Sequence, residues 1–254
     1  MSMVDLNGDI GERSTENIDG NDSKLMNYVT SVNIACGAHA GNADVMDATI
    51  QMAKKQNIAI GAHPGFPDPK GFGRRMMSFQ PAEIFRMVVW QIGGLKAFCD
   101  IHDVELHHVK PHGALYNLAA KDVSVAKAIT DAVQAIDPTL ILYALANSEL
   151  AKVAVESELP IAQEVFADRT YQPDGTLTPR TEPNALIDDP GVMEEHVGRM
   201  IQFNEVETVS GEIIPIKADT ICIHGDNKKA LLFAERICHF LQKAGIDRKP
   251  IKKW

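Results

Sequence analysis

Four histidines, His39, His63, His112 and His224, each follow a short apolar run and lie within two residues of a glycine or proline. Strands end at such signals, so the pattern describes a site gathered from several strand ends. Imidazole can serve there as a base, a hydrogen-bond donor or a metal ligand. Asp9 continues an alternation with Asp5 and Asn7 and suits a general base or a metal ligand; capping the next turn is the plainer role. Asp9, His39 and His63 together would form an Asp/His/His set for a divalent cation, although no H-x-H or H-E-x-x-H spacing accompanies them. Lys110 and His112 flank Pro111, and the lysine is a natural partner for phosphate or carboxylate. Asp9, His39, His63, Lys110 and His112 are the candidate catalytic residues.

A second group of residues reads as binding. Arg74 and Arg75 follow a glycine-rich bend, Gly65 to Gly73, whose backbone amides could approach an anion. Asp168 and Arg169 end one apolar run, either as an ion pair or as substrate contacts, and His224 with Asp226 ends another, where Asp226 could simply cap the following helix. Asn7 lies deeper and supports by hydrogen bonding. No G-K-[ST] phosphate loop occurs anywhere in the chain.

These residues need a scaffold that brings them together. Seven β-type runs fall near 3–7, 31–35, 57–61, 104–109, 139–144, 161–166 and 219–223. Helical patterns fall near 43–55, 81–101, 122–135, 147–157, 190–202 and 227–244. Such alternation predicts parallel strands. Within the runs, Asp5, Asn7 and Asp9 face opposite to Val4 and Leu6, Asn33 opposite to Val32 and Ile34, and His108 and Lys110 opposite to Val109. Bulky aliphatics on one side and small or polar residues on the other favour an irregular (β/α)7 TIM-like barrel over an open sheet covered on both faces. His107 and His108 must face opposite ways, and neither is assigned to catalysis. The stripe Phe85, Val88, Val89 and Leu95 reads as core packing, and so do Met76 and Met77. The long connection Arg169 to Pro190, rich in proline, has the length of a lid or binding loop.

Composition narrows the function. With 254 residues, 45% of them hydrophobic, and no evident linker, one domain spanning 1–254 is expected. The net charge of −9 argues against nucleic acid as a partner, and the basic stretch Arg248 to Lys253 reads as a solvated tail. No export signal or membrane-length apolar run is evident, and Cys36, Cys99, Cys222 and Cys238 read as buried thiols of a reduced, cytoplasmic protein.

Six ordered blocks resemble the LamB/YcsF family, the group of 5-oxoprolinase A subunits. They are Asp5 to Glu12; Asn33 to Gly37 with His39 and Gly41; Gly61 to Gly65 with Gly71 to Arg75; His108 to Asn117; Glu164 to Arg169 with Tyr171, Asp174, Gly175 and Arg180; and His224 to Asn227. Arg13-Ser14-Thr15, Ala38, Asn42-Ala43 and Asn184 depart from the residues usual there. The resemblance implies a barrel similar to that of the glycoside hydrolases and polysaccharide deacetylases. It also implies opening of the 5-oxoproline ring to L-glutamate with ATP as cosubstrate, in a complex with subunits B and C.

A lactam amide is resonance-stabilised and its nitrogen leaves poorly, so phosphorylating the amide oxygen would make the carbon attackable by water. That chemistry calls for cations or amide donors around phosphate and carboxylate, and a base for water. Two other readings stay open: a self-sufficient metal-dependent amidohydrolase or deacetylase using a divalent metal, and a non-catalytic subunit that captures the lactam.

Overall fold

The computed structural model describes residues 3–12, 18–224 and 229–253. Arg13-Ser14-Thr15 and the block Gly225, Asp226 and Asn227 lie outside the described residues. Seven parallel strands close into a barrel: β1 (Met3–Ile10), β2 (Ser31–Ala35), β3 (Ala59–His63), β4 (Leu106–Val109), β5 (Ile141–Leu145), β6 (Ile161–Phe166) and a last barrel strand, β9 (Thr220–His224). Closure runs through β9, which pairs with β6 on one side and β1 on the other, placing Asp9 beside His224. This is the (β/α)7 barrel that the alternation implies, with aliphatic side chains outward and polar ones in the lumen.

Helices α2 (Ala43–Lys55), α3 (Pro81–Ile101), α5 (Val123–Ile136), α6 (Glu149–Glu156), α7 (Pro190–Gln202) and α8 (Ala230–Lys243) surround the strands. Their starts are set by local chemistry. Asn42 and Ser148 accept from the amides of Val45 and Ala151, and Asp122 and Asp189 do the same for α5 and α7; each cap is worth about 1 kcal/mol. Leu6, Ile34, Ile60 and Val109 on the strands pack with Ile50, Val88, Leu95 and Ile129 on the helices in one fully buried core. Phe85 and Val89 are half-buried beside it.

Several elements differ from expectation. The third strand lies two residues beyond the predicted 57–61, because Asn57 adopts φ 55° and turns the chain before the strand begins. Unforeseen are the short helices α1 (Ser23–Met26) and α4 (Gly113–Ala119), and a small antiparallel pair, β7 (Glu205–Glu207) with β8 (Ile213–Pro215). The basic C-terminal stretch is no free tail. Asp247 and Arg248 form β10 against Met3 and Val4, the Ile251 carbonyl contacts His107 at 2.7 Å, and Ile251 packs on Ile141, Tyr143 and Ala162. The tail thus covers the end of the barrel opposite the site, where apolar lumen residues would otherwise meet water. Cys36, Cys99 and Cys222 are buried, whereas Cys238 is half-buried.

Candidate active site

The lumen is a stack of hydrogen-bonded layers that ends in Asp9. Deepest is Asp5, whose carboxylate accepts from Thr30, Ser31, Thr220 and Tyr143. Above it Asn7 donates to Glu164 and Thr220, and the Asn33 amide donates to both Asn7 and Asp9. The Asn33 oxygen accepts from His108 Nε2 at 2.8 Å. The His108 ring stacks on Tyr143 and lies directly over Gly61 of β3. A Cβ on Gly61 would come within 2.1 Å of that ring. With its Oδ1 held by both the Asn33 amide and the Lys110 ammonium, Asp9 has little freedom to move.

Lys110 completes this stack. Its ammonium contacts Asp9 Oδ1 at 2.9 Å, Glu164 Oε1 at 2.9 Å, Cys222 Sγ at 2.9 Å and Asn7 Oδ1 at 3.3 Å. Burial alone would strip its proton, yet the Asp9 and Glu164 carboxylates outweigh that and hold it charged. Burial likewise would raise the Asp9 pKa, but His63 and Lys110 drive it well below the usual carboxylate range. The three N–H bonds of Lys110 are thereby committed to the protein. Through these bonds Lys110 positions Asp9.

At the mouth, Glu12, His39, His63 and His112 bring one ligand atom each within 4.8 Å of the others. Gly11, at φ 71°, turns the chain so that Glu12 folds back over the lumen. His63 Nδ1 meets the Lys110 carbonyl at 2.7 Å and His112 Nε2 meets that of Phe72 at 2.8 Å. A carbonyl only accepts, so these partners assign the protons to those two nitrogens. His39 stacks on His112, ring centroids 3.7 Å apart, with Nε2 3.2 Å from Glu12 and Nδ1 buried without a partner among the described residues. Burial lowers the His39 pKa to about 4, while at His63 the Asp9 carboxylate outweighs burial and raises it. Gly73, at φ 63°, lets the loop lie against both stacked rings; a Cβ there would approach His39 and His112 to 2.7 and 2.8 Å. The expected Asp/His/His set is therefore rearranged. His39 and His63 cluster with Glu12 and His112, while Asp9 groups with Cys222 and His224.

A cavity of about 520 Å³ opens above these groups, lined by Asp9, His63, Lys110, His112, Tyr116 and His224. The proline-rich connection forms its wall through Thr176 to Thr181. Three guanidinium groups attend the mouth. Arg74 and Arg169 line it with Arg180, and Arg169, lowered to about 10 chiefly by burial, also feels the charges of Arg180 and Arg74. Arg169 is itself held by the Thr178 and Ala185 carbonyls. The Asp168 carboxylate meets His224 Nδ1 at 2.8 Å, and His224 stacks on Phe166.

Other residues sit away from where their motifs placed them. Arg75 turns to a bidentate contact with Asp68, its side chain 67% exposed. The glycine-rich bend spends its amides internally: Gly65 donates to Gln91, Gly71 and Gly73 to Asp68, and Arg74 to the Gly71 carbonyl. That bend is built to carry Arg74 and Gly73, not to cradle an anion. Met76 is not core; it is 63% exposed and lines the cavity. Sequence pattern does not single out Glu12, Glu164, Tyr116 or Arg180 as site residues. Tyr116 donates to Glu164 at 2.7 Å, and its position four residues beyond His112, on α4, is the available signal.

The profile of the LamB/YcsF family matches residues 4–254. The 5-oxoprolinase A subunit from Oceanobacillus iheyensis is 54% identical over 245 residues, 96% of this chain and 95% of its own. The chain belongs to the LamB/YcsF family. Its members at this similarity span distant organisms: the 5-oxoprolinase A subunit from Pyrococcus abyssi is 47% identical over 98% of both chains. The crystal structure of the lactam utilization protein from Thermus thermophilus superposes with a TM-score of 0.91 at 39% identity, covering 98% of this chain and all of that one. This LamB/YcsF chain therefore shares the whole barrel with these relatives.

Proposed function

We propose that this chain is the subunit of an ATP-dependent 5-oxoprolinase in which the lactam ring of 5-oxoproline is opened to L-glutamate, with ATP converted to ADP and phosphate. One observation carries the reading: an ionised, immobilised carboxylate, Asp9, faces a cavity of about 520 Å³ whose mouth bears three arginines. The substrate is a small anion, and its phosphorylated form a larger one. Arg74, Arg169 and Arg180 supply the fixed positive charge both would need, a role closed to the saturated Lys110. Asp9 accepts a hydrogen from the attacking water. A carboxylate held so far below neutrality is a weak base, which suits attack on an electrophile already activated by phosphorylation better than attack on an unactivated amide.

The relatives are named as one lettered subunit of an enzyme, which supports assembly with further subunits; we take these to be B and C and to share the reaction. One domain of residues 1–254 is the unit proposed to join them. No helix among the described residues is long and apolar enough to cross a membrane. The test is ATP-coupled glutamate release by the purified chain alone and with its candidate partner subunits. Glutamate formed only in the combined mixture, and lost with Asp9→Asn, is expected. Folded components that release none under either condition would overturn the assignment.

A further inference from the structure

Among the described residues the most unusual feature is a meeting of acceptors. His63 Nε2 and His112 Nδ1 lie 3.0 Å apart, and the opposite nitrogen of each ring is tied to a backbone carbonyl. In the neutral rings both facing nitrogens carry lone pairs. Carboxylate acceptors lie beside them: Glu12 Oε1 at 3.2 Å from His112 and 3.8 Å from His63, and Asp9 Oδ2 at 3.4 Å from His63. Lone pairs and carboxylates converging at one buried point repel unless a cation sits between them.

The separations suit a metal ion. Two ligands bound to zinc at 2.0–2.1 Å in tetrahedral geometry are about 3.4 Å apart, and the three edges of the His63, His112 and Glu12 triangle measure 3.0, 3.2 and 3.8 Å. The two imidazole planes are 84° apart, so their in-plane lone pairs can aim at a common point. His39 differs. Its ring is parallel to that of His112 within 3° at 3.7 Å, and two parallel planes share no point at which both lone pairs could end. His39 therefore buttresses His112 and Glu12. The carbonyls of Lys110 and Phe72 complete the arrangement, since metal-binding imidazoles donate their other N–H to such groups.

We propose that His63 Nε2, His112 Nδ1 and the Glu12 carboxylate form a three-ligand site for a divalent transition metal, zinc by donor type, with a fourth position open to the cavity. It lies in the pocket of the lactam reading and depends on that reading only for a purpose: a bound ion would polarise the lactam carbonyl or a water molecule.

The test needs neither lactam nor nucleotide, so its failure would leave the lactam reading standing. Untagged chain stripped with chelator is titrated with Zn2+ by calorimetry and with Co2+ by visible absorption. One equivalent bound, with the intense bands of low-coordinate Co2+, is expected. His63→Gln and His112→Gln should each weaken uptake more than a thousandfold, and His39→Gln by about 10- to 100-fold, the range for a residue supporting a ligand. Nitrogen NMR of wild-type histidines, apo against Zn2+-loaded, gives the answer even where a variant misfolds: His63 Nε2 and His112 Nδ1 should move to metal-bound shifts. Folded, stripped protein that takes up less than a tenth of an equivalent, or unchanged uptake in folded His63→Gln and His112→Gln, would overturn the site in favour of a shared proton.

Discussion

Lys110 Nζ stands 2.9 Å from Asp9 Oδ1 at the centre of the barrel, with neither side chain more than 6% exposed. The pair is not isolated, because the same ammonium also holds Glu164. Removing it leaves two buried carboxylates facing each other without a counter-charge, and breaking such an arrangement from one side costs about 3–5 kcal/mol. Lys110→Met should therefore lower stability by that order in urea unfolding. Glu164→Gln placed in the same chain should recover part of the loss, and equal stabilities for Lys110→Met and wild type would show that the pair contributes nothing.

Asp9→Asn probes chemistry with less structural cost, since Lys110 keeps Glu164 and the side chain keeps its size. Loss of the base should reduce glutamate formation in the reconstituted complex by roughly 10²- to 10⁴-fold. The melting temperature should change far less than in Lys110→Met. Retained turnover in a folded variant would remove Asp9 from the reaction.

The arginines at the mouth should act on binding. A charge-assisted hydrogen bond contributes about 1.5–3 kcal/mol, so Arg180→Ala should raise the KM for the anionic substrate about 10- to 100-fold with a smaller change in kcat. The effect should shrink as salt rises, because Arg180 is exposed to solvent. Arg75→Ala is the internal control. It sits on Asp68, outside the cavity lining, and its loss should leave the KM unaltered.

The barrel was legible because its signal is local and periodic. Val4 and Leu6 against Asp5 and Asn7 fix which side of β1 faces outward, and a one-residue error would bury every charge on the wrong face. The helices at 43–55, 81–101 and 190–202 have the bounds their caps and apolar stripes dictate. The parity that placed Lys110 inside also marks Glu164 as inward, but it cannot say that the two meet, since their pairing depends on closure between β6, β9 and β1. Glu12 was harder still. It lies past the end of β1, where parity lapses, and only the left-handed turn at Gly11 brings it over the histidines. The tail at Ile251 escaped because a basic, proline-containing segment looks alike whether solvated or laid against a barrel end.

Gly61 tests the packing of the lumen directly. Its missing side chain makes room for His108, whose ring is pinned by Asn33 and stacked on Tyr143, so it cannot easily withdraw. Gly61→Ala should cost about 1–3 kcal/mol, the range for overpacking a filled core. The same change with His108→Ala should cost less than the two separately added, and strict additivity in a double-mutant cycle would show that the ring and the glycine do not contact.

His196 sets a pH dependence. Its ring is tilted over Tyr171 and Nε2 has no partner among the described residues; burial lowers its pKa from 6.5 to about 4, against the smaller opposing pull of the Phe166 and Arg169 backbones and of Asp168. The folded state thus keeps this histidine neutral where the unfolded chain would protonate it. Stability from this group is fully present above about pH 6.5, declines as pH falls from 6.5 towards 4, and is lost below that, with a span on the order of 3 kcal/mol at most. His196→Phe cannot titrate, so its melting temperature should fall less steeply than wild type between pH 6.5 and 4. The comparison of slopes isolates this residue from the carboxylates, which titrate in both proteins alike. Parallel slopes would mean that the imidazole is protonated in the folded chain and that a carbonyl, not burial, governs it.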